Sequence, residues 1–351
     1  MITNKTIVVT GGTGSLGKVL VKRLLSEEIG RPKKIIVFSR DEAKQHQMRL
    51  EYEQRDSATD EIIYNNFSRI LQFHIGDIRN YKTVCSVLKN ADIVFNTAAL
   101  KQVPTCEYFP DEAVLTNIIG AQNIIRAISE HNYQVETVVG ISTDKACKPV
   151  NVMGMTKAIQ ERTFIRGNLE CPNTRFICVR YGNVLASRGS VIPLFHEQIT
   201  QGGPVTITTD EMTRFLLSLN QAVDTVFAAL KDAKRGETYI PKVPSTKIID
   251  LARILIGNKD IEIKITGIRP GEKIHEILIS EEEAHRSISR DKFYVISPIL
   301  PELKISDAKN SNYLNKEFSS ADNLMSKEEL HKLLVDNNLM TYRGNGLEML
   351  A

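Results

Sequence analysis

The stretch STDKACKPVNVMGMTK gathers side chains that can donate or accept protons. Asp144 and Lys145 are adjacent in it, and the hydroxyl of Thr143 precedes them. The following MGMTK segment is typical of the start of a helix, on which residues four apart share a face. Met153 therefore lies on the same face as Lys157, although a thioether cannot take up a proton. The stretch predicts a proton-transfer site in which Lys157 has an inert neighbour.

A second candidate site is the glycine-rich turn TGGTGSLG, which follows one predicted strand and opens a predicted helix. Glycine recurs there at every third position, as needed where the backbone turns sharply and approaches a pyrophosphate closely. The helix N-terminus adds free N–H groups and the positive end of its dipole. The turn therefore predicts a dinucleotide-binding site. Its predicted contacts are Gly11, Thr13, Gly14, Ser15, Leu16 and Gly17.

The end of the second predicted strand distinguishes between the two nicotinamide dinucleotides. NAD sites place an acidic residue there for the ribose hydroxyls, whereas this chain has Ser39 and Arg40, with Lys44 nearby. A hydroxyl and a guanidinium suit a 2′-phosphate, because Arg binds phosphate through two parallel charge-assisted hydrogen bonds. NADP is therefore the predicted cofactor, and Asp41 leaves NAD as the less favoured alternative.

Further cofactor contacts are expected where later strands end. Asp77 and Ile78, after the third predicted strand, would flank the adenine, and Asp77 is equally a candidate helix cap. The segment NTAALK would line the nicotinamide side. The predicted contacts on that side are Ala98, Ala99, Lys101 and Thr116.

Short runs rich in β-branched residues alternate with helical patterns. Continuous apolar runs predict strands that are buried on both faces. The segment SLGKVLVKRLLSEE places Leu16, Val19, Leu20 and Leu24 on one stripe, as an amphipathic helix requires. The alternation predicts an α/β fold with a doubly wound parallel sheet. The predicted strands cover residues 6–10, 34–39, 70–77, 92–99, 137–142 and 176–182.

The alternation weakens after about residue 183, which indicates a smaller α+β domain for the substrate. The segment ETYIP predicts a strand that returns to the first sheet. In the tail, Ser326 and Glu329 form a capping box that predicts a helix. The predicted divisions are 1–183 with about 216–242 for the Rossmann-type domain, 184–215 with 243–310 for the substrate domain, and 311–351 for the tail.

Composition argues against several classes of function. A formal charge of +3 with 25% charged residues gives no reason to expect nucleic acid or a membrane surface as a partner. No apolar run approaches the roughly 18 residues that a spanning helix needs. Five cysteines without a CxxC pair indicate reduced thiols in a cytoplasmic protein. The seven histidines show no metal-ligand spacing.

Together, these motifs resemble the extended short-chain dehydrogenase/reductase family over roughly residues 5–280. The segments TGGTGSLG, NTAALKQVP, LTNIIGAQN, STDKA, MGMTK and VRYGNV carry the resemblance. A sharper likeness, to the inverting UDP-N-acetylglucosamine 4,6-dehydratases, comes from STDKACKPVN, VRYGNVLASRGSVIPLF, MTRF and GIRPGEKIHE. Met153 is similar to the 4,6-dehydratase/5-epimerase branch of that group, where methionine replaces a catalytic tyrosine.

The resemblance implies a hydro-lyase that makes precursors of bacterial surface polysaccharides without net redox change. NADP⁺ removes a hydride from sugar C4, water is lost across C5 and C6, and the hydride returns to C6. Asp144 would protonate the leaving C6 hydroxyl, and Lys145 would remove the C5 proton. Thr143 would bind the C4 oxygen, and Lys157 would hold the nicotinamide ribose.

Two expectations about proton transfer follow from these roles. As a base, Lys145 needs its pKa lowered from the reference value of about 10.4, by burial or by the neighbouring positive charges of Lys157 and the nicotinamide. Since Met153 cannot act, we expect Lys145, or a water held by Thr143 and Lys157, to take the C4 hydroxyl proton.

The same resemblance implies UDP-N-acetylglucosamine as substrate and a homo-oligomer, by likeness a hexamer. Arginines suit a diphosphate, which carries two negative charges. Arg269 would contact the diphosphate, Glu272 the uridine ribose, and Asn183 the sugar or diphosphate, and Lys273 is a further basic residue of the same motif. The predicted substrate contacts are Lys101, Asn183, Arg188, Arg214, Arg269 and Glu272.

Two alternatives stay open on the sequence. A UDP-hexose 4-epimerase shares the C4 oxidation but returns the hydride to C4, and it would normally keep the tyrosine. A catalytically silent NADP-binding protein would explain Met153, but the Asp144–Lys145 pair argues against it.

Overall fold

The computed structural model describes residues 1–53, 61–185, 190–304 and 313–340, with the backbone alone for residues 61–65. The strands are β1 (Thr6–Thr10), β2 (Lys34–Ser39), β3 (Leu71–Ile75), β4 (Ile93–Asn96), β5 (Thr137–Thr143), β6 (Arg175–Tyr181), β7 (Asn183–Val184), β8 (Val205–Ile207), β9 (Thr213–Leu217), β10 (Thr238–Pro241), β11 (Ser245–Lys247), β12 (Ile263–Ile265), β13 (Ile277–Ile279), β14 (Ser287–Arg290), β15 (Phe293–Ile296) and β16 (Phe318–Ser319).

Helices flank these strands along the chain. They are α1 (Ser15–Leu25), α2 (Glu42–Glu53), α3 (Glu61–Ile70), α4 (Tyr81–Leu88), α5 (Val103–Tyr108), α6 (Pro110–Ala113), α7 (Gly120–His131), α8 (Val152–Glu170), α9 (Val191–Thr200), α10 (Leu219–Asp232), α11 (Ile248–Ile256), α12 (Glu281–Ala284) and α13 (Lys327–Asp336). A π-helical segment spans Val114–Ile119, and 3₁₀ turns span Asp144–Ala146 and Pro301–Leu303.

The main sheet confirms the predicted α/β fold. Its order in the described residues is β14-β15-β10-β6-β5-β4-β1-β2-β3, and β10 to β3 run parallel, while β14 and β15 add an antiparallel edge. The two first strands match the prediction to the residue, and the next four differ from it by a few residues at their ends. The ETYIP segment returns to this sheet as β10, which pairs in parallel with β6.

Neighbouring residues of β1 are both apolar because they pack on opposite faces of the sheet. Val9 packs with Leu20 and Leu24 of α1 on one face of the sheet, and Val8 packs with Val84 of α4 on the other. Both faces of the sheet are therefore covered by helices, as expected for parallel strands. The predicted stripe of α1 is confirmed, with Val19 also buried.

A separate apolar cluster lies beyond the carboxyl ends of these strands. Phe195 of α9, Leu251 of α11 and Leu334 of α13 belong to it and are fully buried. The capping box predicted for the tail is present, since the Ser326 hydroxyl accepts from the Glu329 backbone N–H and the Glu329 carboxylate accepts from the Ser326 N–H. Several residues of this cluster line the cavity that is described in the next subsection, on the side opposite the sheet.

Candidate active site

A cavity of about 880 Å³ opens at the carboxyl ends of the parallel strands, where ligands bind in folds of this class. It brings together all the predicted site residues within the described ranges. Arg188 lies outside those ranges. Lys273, the further basic residue of the RPGEK segment, donates from its ammonium to the Cys147 carbonyl oxygen at 2.6 Å.

The glycine turn fits a dinucleotide. Gly11 has a φ of +64°, and a Cβ there would lie 2.8 Å from the backbone nitrogen of Ala98, so only glycine lets the turn pack this closely against the segment that follows β4. Helix α1 begins at Ser15 after Gly14, and no side chain caps that end. The first-turn N–H groups of a helix have no intrahelical partner, so they suit a pyrophosphate.

The residues predicted to select NADP adopt different environments. Ser39 is buried, and its hydroxyl accepts from Gln45 at 3.1 Å. Lys44 pairs with Asp41 at 2.6 Å. The Arg40 side chain is 59% exposed, with one guanidinium nitrogen 3.9 Å from Asp77, which leaves it the best placed of the three to meet a 2′-phosphate.

Asp77 is not the helix cap that the sequence left open. Asn80 caps α4, because its side chain accepts from the Thr83 backbone N–H. The Asp77 carboxylate instead binds Arg79 through both the guanidinium and the backbone N–H. Burial opposes its ionisation, but the hydrogen bonds from Arg79 outweigh burial and lower the pKa of Asp77.

The proton-transfer residues lie on a turn between β5 and α8. Thr143 ends β5, and Asp144 and Lys145 form the 3₁₀ turn that follows. A Cβ at Gly154 would lie 2.1 Å from the Lys145 carbonyl oxygen, so glycine lets the first turn of α8 pack directly against the turn. The Asn151 side chain caps α8 by accepting from the Gly154 N–H at 2.8 Å.

Asp144, Lys145 and Glu276 form one buried cluster, which we call the lysine cluster. The Lys145 ammonium lies 3.1 Å from Asp144 Oδ1 and 3.1 Å from Glu276 Oε1. The two carboxylate side chains are 1% and 3% exposed, whereas that of Lys145 is 20% exposed. Asp144 Oδ2 and Glu276 Oε2 are both buried without a hydrogen-bond partner in the described structure. All three residues line the cavity, and Lys145 has the most exposed side chain of the three.

The charges of the lysine cluster shift the pKa of Lys145 in the direction opposite to the predicted one. Burial lowers the pKa of Lys145, but the Asp144 and Glu276 carboxylates outweigh it, so the net shift is upward rather than the predicted downward one. Burial is also the largest effect on Asp144, and it raises the pKa of that carboxyl above its ordinary value. For Glu276, burial is outweighed by the charges of Lys145 and Arg214, so its pKa is lowered.

Glu276 is the site residue that sequence reasoning missed. It is the last residue of the motif GIRPGEKIHE, from which only Arg269, Glu272 and Lys273 were selected. The signal was its presence in that motif, but nothing in the sequence alone placed its carboxylate against Lys145.

Lys157 and Met153 lie side by side at the cavity, as the helical spacing predicts. The Lys157 ammonium donates to the Ile141 carbonyl oxygen and to the Gln160 side chain. Burial lowers the pKa of Lys157 to about 8. Met153 is 4% exposed and packs with Cys106. A lysine of lowered pKa and an apolar neighbour therefore line this side of the cavity.

The opposite side of the cavity holds the residues predicted to bind a nucleotide sugar. Asn183 Oδ1 is buried without a partner in the described structure, so it can accept from a ligand. The Arg214 guanidinium donates to the Thr213, Lys273 and Ile274 carbonyl oxygens. Glu272 accepts from Thr208 at 3.3 Å. Arg214 therefore fixes the segment that carries Glu276, in addition to lining the cavity.

Two further observations concern the described ranges as a whole. All five cysteines have free thiols. Among the helices within those ranges, none combines the length and the apolar character needed to cross a membrane.

Other proteins are similar in sequence to this chain over most of its length. The family described as polysaccharide biosynthesis protein matches residues 7–298. A protein of Methanocaldococcus jannaschii, described as an uncharacterized membrane protein, is 44% identical over 330 residues, which cover 90% of this chain and 93% of that protein. A UDP-glucose 4-epimerase of Rickettsia massiliae is 44% identical over 301 residues, which cover 84% of each chain.

Solved structures share the fold. Pen from Bacillus thuringiensis has a TM-score of 0.85 at 36% identity and covers 97% of this chain and 99% of its own. A dTDP-glucose 4,6-dehydratase from Streptomyces venezuelae, with NAD and TYD bound, has a TM-score of 0.64 at 19% identity, over 77% of this chain and 86% of that one. Because the family match and the relatives at 44% identity cover most of the sequence, the chain belongs to the polysaccharide biosynthesis family of nucleotide-sugar dehydratases and epimerases.

Proposed function

We propose that the protein is a UDP-N-acetylglucosamine 4,6-dehydratase that also inverts C5. The observation that carries this proposal is the lysine cluster, in which a carboxyl of raised pKa lies beside an amine at the cavity. Loss of water from C6 requires a proton donor for the leaving hydroxyl and an acceptor for the C5 proton. Asp144 is the proposed donor, because burial raises its pKa. Lys145 is the proposed acceptor in its neutral form, although its carboxylate neighbours favour the ammonium in the ligand-free structure.

The remaining roles follow from position. Thr143 precedes Asp144 and lines the cavity, where its hydroxyl can bind the C4 oxygen. Lys157 holds the nicotinamide ribose, and Asn183, Arg214, Arg269 and Glu272 bind the nucleotide sugar. The sugar is thereby oriented with C5 and C6 toward the lysine cluster, and such positioning lowers the barrier to reaction.

NADP is the proposed cofactor. When bound, it supplies the hydride acceptor at C4 and the hydride donor at C6. The glycine turn would hold the pyrophosphate, and Arg40 would bind the 2′-phosphate. Assembly as a homo-oligomer stays a prediction.

A UDP-hexose 4-epimerase is the second candidate, because a relative at 44% identity carries that name. Epimerisation returns the hydride to C4 and needs neither an acid at C6 nor a base at C5. The buried Asp144–Lys145 pair therefore has a use in dehydration that it lacks in epimerisation.

Product mass separates these activities. The protein is incubated with NADP⁺ and UDP-N-acetylglucosamine, and the nucleotide sugar is then weighed by mass spectrometry. Dehydration gives a product lighter by one water. A nucleotide sugar of unchanged mass whose C4 configuration is inverted by NMR would establish the epimerase instead, and unchanged mass with unchanged C4 configuration would contradict both activities.

A further inference from the structure

We propose that Gln45 sets the preference of the protein for NADP over NAD, by fixing the direction in which the Ser39 hydroxyl donates its hydrogen. The inference rests on the proposed cofactor, since it concerns how the 2′-phosphate side of that site is built. Gln45 is 4% exposed and lies behind the residues that line the cavity. It is therefore a positioning residue that acts through Ser39.

The Gln45 side chain ties the ends of β2 and β3 to helix α2. Its amide nitrogen donates to the Ser39 carbonyl oxygen at 3.0 Å and to the His74 carbonyl oxygen at 3.1 Å. Backbone carbonyls only accept hydrogen bonds, so these two contacts fix which end of the amide faces the strands. The same nitrogen lies 3.1 Å from Ser39 Oγ, so one hydrogen is shared between two oxygens of Ser39. Ser39 Oγ is thereby an acceptor.

A second donor meets the same hydroxyl. The Thr13 hydroxyl, in the glycine turn, donates to Ser39 Oγ at 3.3 Å. A hydroxyl oxygen has two lone pairs and one hydrogen, and the two donors occupy both lone pairs. Within the described residues, the Ser39 hydrogen has no protein acceptor. That hydrogen can therefore serve a ligand.

The wall around Ser39 suits an anion. Ser39 lines the cavity together with Arg40 and Lys44, and the oxygens of a 2′-phosphate accept from a hydroxyl and a guanidinium. The 2′-hydroxyl of NAD carries a hydrogen of its own, for which NAD sites place an acidic residue at this strand end. The nearest acidic residue in the sequence, Asp41, instead binds the Lys44 ammonium at 2.6 Å and the Lys44 backbone N–H at 3.0 Å. The wall therefore offers donors where the 2′ group would lie.

A purely structural role for Gln45 makes a different prediction. Its bonds to the two carbonyl oxygens hold the ends of β2 and β3 together, and their loss would weaken NADP and NAD binding alike. Specificity is a difference between two affinities. A role through the Ser39 hydroxyl therefore changes the ratio of bound NADP to bound NAD, which a general weakening of the site leaves constant.

The test measures that ratio by competition. The purified protein is equilibrated with equal concentrations of NADP⁺ and NAD⁺ until the bound ratio is constant, and the bound cofactors are then released and quantified by chromatography. Gln45→Met keeps the length of the side chain but removes the donor. It is compared with Ser39→Ala and with the double variant. Gln47→Met makes the same change at an exposed position of α2 and serves as the control. Thermal melting verifies each fold.

We expect Ser39→Ala to lower the NADP⁺ to NAD⁺ ratio by about tenfold or more, because a hydrogen bond to a charged group is lost. Gln45→Met should lower it by about threefold or more, as expected for a neutral hydrogen bond, and Gln47→Met should leave it unchanged. In the Ser39→Ala background, Gln45→Met should cause no further fall, because the two residues act as one unit.

A second substitution reverses the polarity of the same contact. Gln45→Glu keeps the shape of the side chain but replaces the donor by an acceptor, which takes up the Ser39 hydrogen and places a negative charge near the 2′ group. We expect the ratio to fall further than in Gln45→Met. Gln47→Glu adds the same charge at the exposed position and should alter the ratio less.

The outcomes also separate this inference from the proposed function. A wild type that takes up NAD⁺ in preference contradicts the proposed cofactor, and this inference with it. A wild type that prefers NADP⁺, with an unchanged ratio in the folded Gln45 variants, overturns the inference alone. An equal fall caused by Gln45→Met with and without the Ser39 hydroxyl overturns it too, because Gln45 then acts by another route. The mass of the sugar product tests the dehydratase independently of these ratios.

Discussion

Two buried clusters in this molecule have the same charge composition and different chemistry. In the lysine cluster, Lys145 lies between Asp144 and Glu276. In the second, which we call the arginine cluster, Arg180 lies between Glu161 and Glu283 at 2.7 Å from each. Each cluster joins the carboxyl end of a central strand to the segment around β13, and each holds one cation and two carboxylates.

The two clusters differ in how many of their carboxylate oxygens accept a hydrogen bond. Arg180 donates to both oxygens of Glu161, to both of Glu283 and to the Leu278 carbonyl. Its charge holds the pKa of Glu283 at about 2, although burial acts in the opposite direction. The lysine cluster instead leaves one oxygen unpartnered on each carboxylate. A planar guanidinium with five donors can bind both oxygens of two carboxylates, whereas the single ammonium leaves one oxygen of each carboxylate without a partner among the described residues.

We expect the largest loss of activity from a substitution in the lysine cluster. Asp144→Asn keeps the shape of the side chain but removes the proton donor for the C6 hydroxyl. We expect dehydration to fall by about 10² to 10⁴, while reduced cofactor still forms. Product mass and cofactor absorbance measure the two steps separately. Dehydration at the wild-type rate would show that this carboxyl is structural, like those of the arginine cluster.

Replacement in the arginine cluster should affect stability. Arg180→Met leaves two buried carboxylates without their cation, so we expect the free energy of unfolding to fall by about 3–5 kcal/mol. Arg166→Met removes an exposed pair with Glu170 and should cost at most about 0.5 kcal/mol. Urea unfolding measures both. A small loss for Arg180→Met, comparable to the control, would contradict a structural role.

Acid should weaken the arginine cluster in a defined pH range. The pKa of Glu283 falls from an ordinary 4.5 to about 2 in the folded protein. A lowered folded-state pKa stabilises above the unfolded value, and this stability is lost as pH falls from about 4.5 toward 2. We expect the melting temperature to drop more steeply with acid in wild type than in Glu283→Gln. Parallel pH profiles would contradict the shift.

The smallest effect is expected at position 153, which belongs to neither cluster. Met153→Tyr restores the side chain of the wider family beside Lys157. Because the lysine cluster supplies the proton transfers, we expect turnover to persist at a similar rate. Complete loss of turnover in a folded variant would indicate that Met153 packs against the sugar in a way that tyrosine cannot.

Local patterns predicted most of the scaffold. The apolar runs of β1 and β2 define strands to the residue, because both faces of those strands are buried. The glycine turn and the face shared by Met153 and Lys157 follow from backbone geometry alone. These features depend on neighbours in sequence, which periodicity and spacing report.

The electrostatics of the site were harder to predict. Glu276 reaches Lys145 only through the tertiary fold, so the upward pKa shift of Lys145 was not visible in the sequence. The bond from Lys273 to the Cys147 carbonyl oxygen was not visible for the same reason, because the two residues are distant in sequence. The sign of each charge can be read from a sequence. The net pKa shift of a buried group depends on which opposite charges the fold places within a few ångströms of it.

Deuterium incorporation at C5 tests the central claim most directly. Wild type and Lys145→Gln are incubated with UDP-N-acetylglucosamine and NADP⁺ in D₂O, and C5 is followed by NMR. If Lys145 carries the C5 proton, wild type places solvent deuterium at C5 and folded Lys145→Gln places none above background. Deuterium uptake by Lys145→Gln at the wild-type rate would contradict the account.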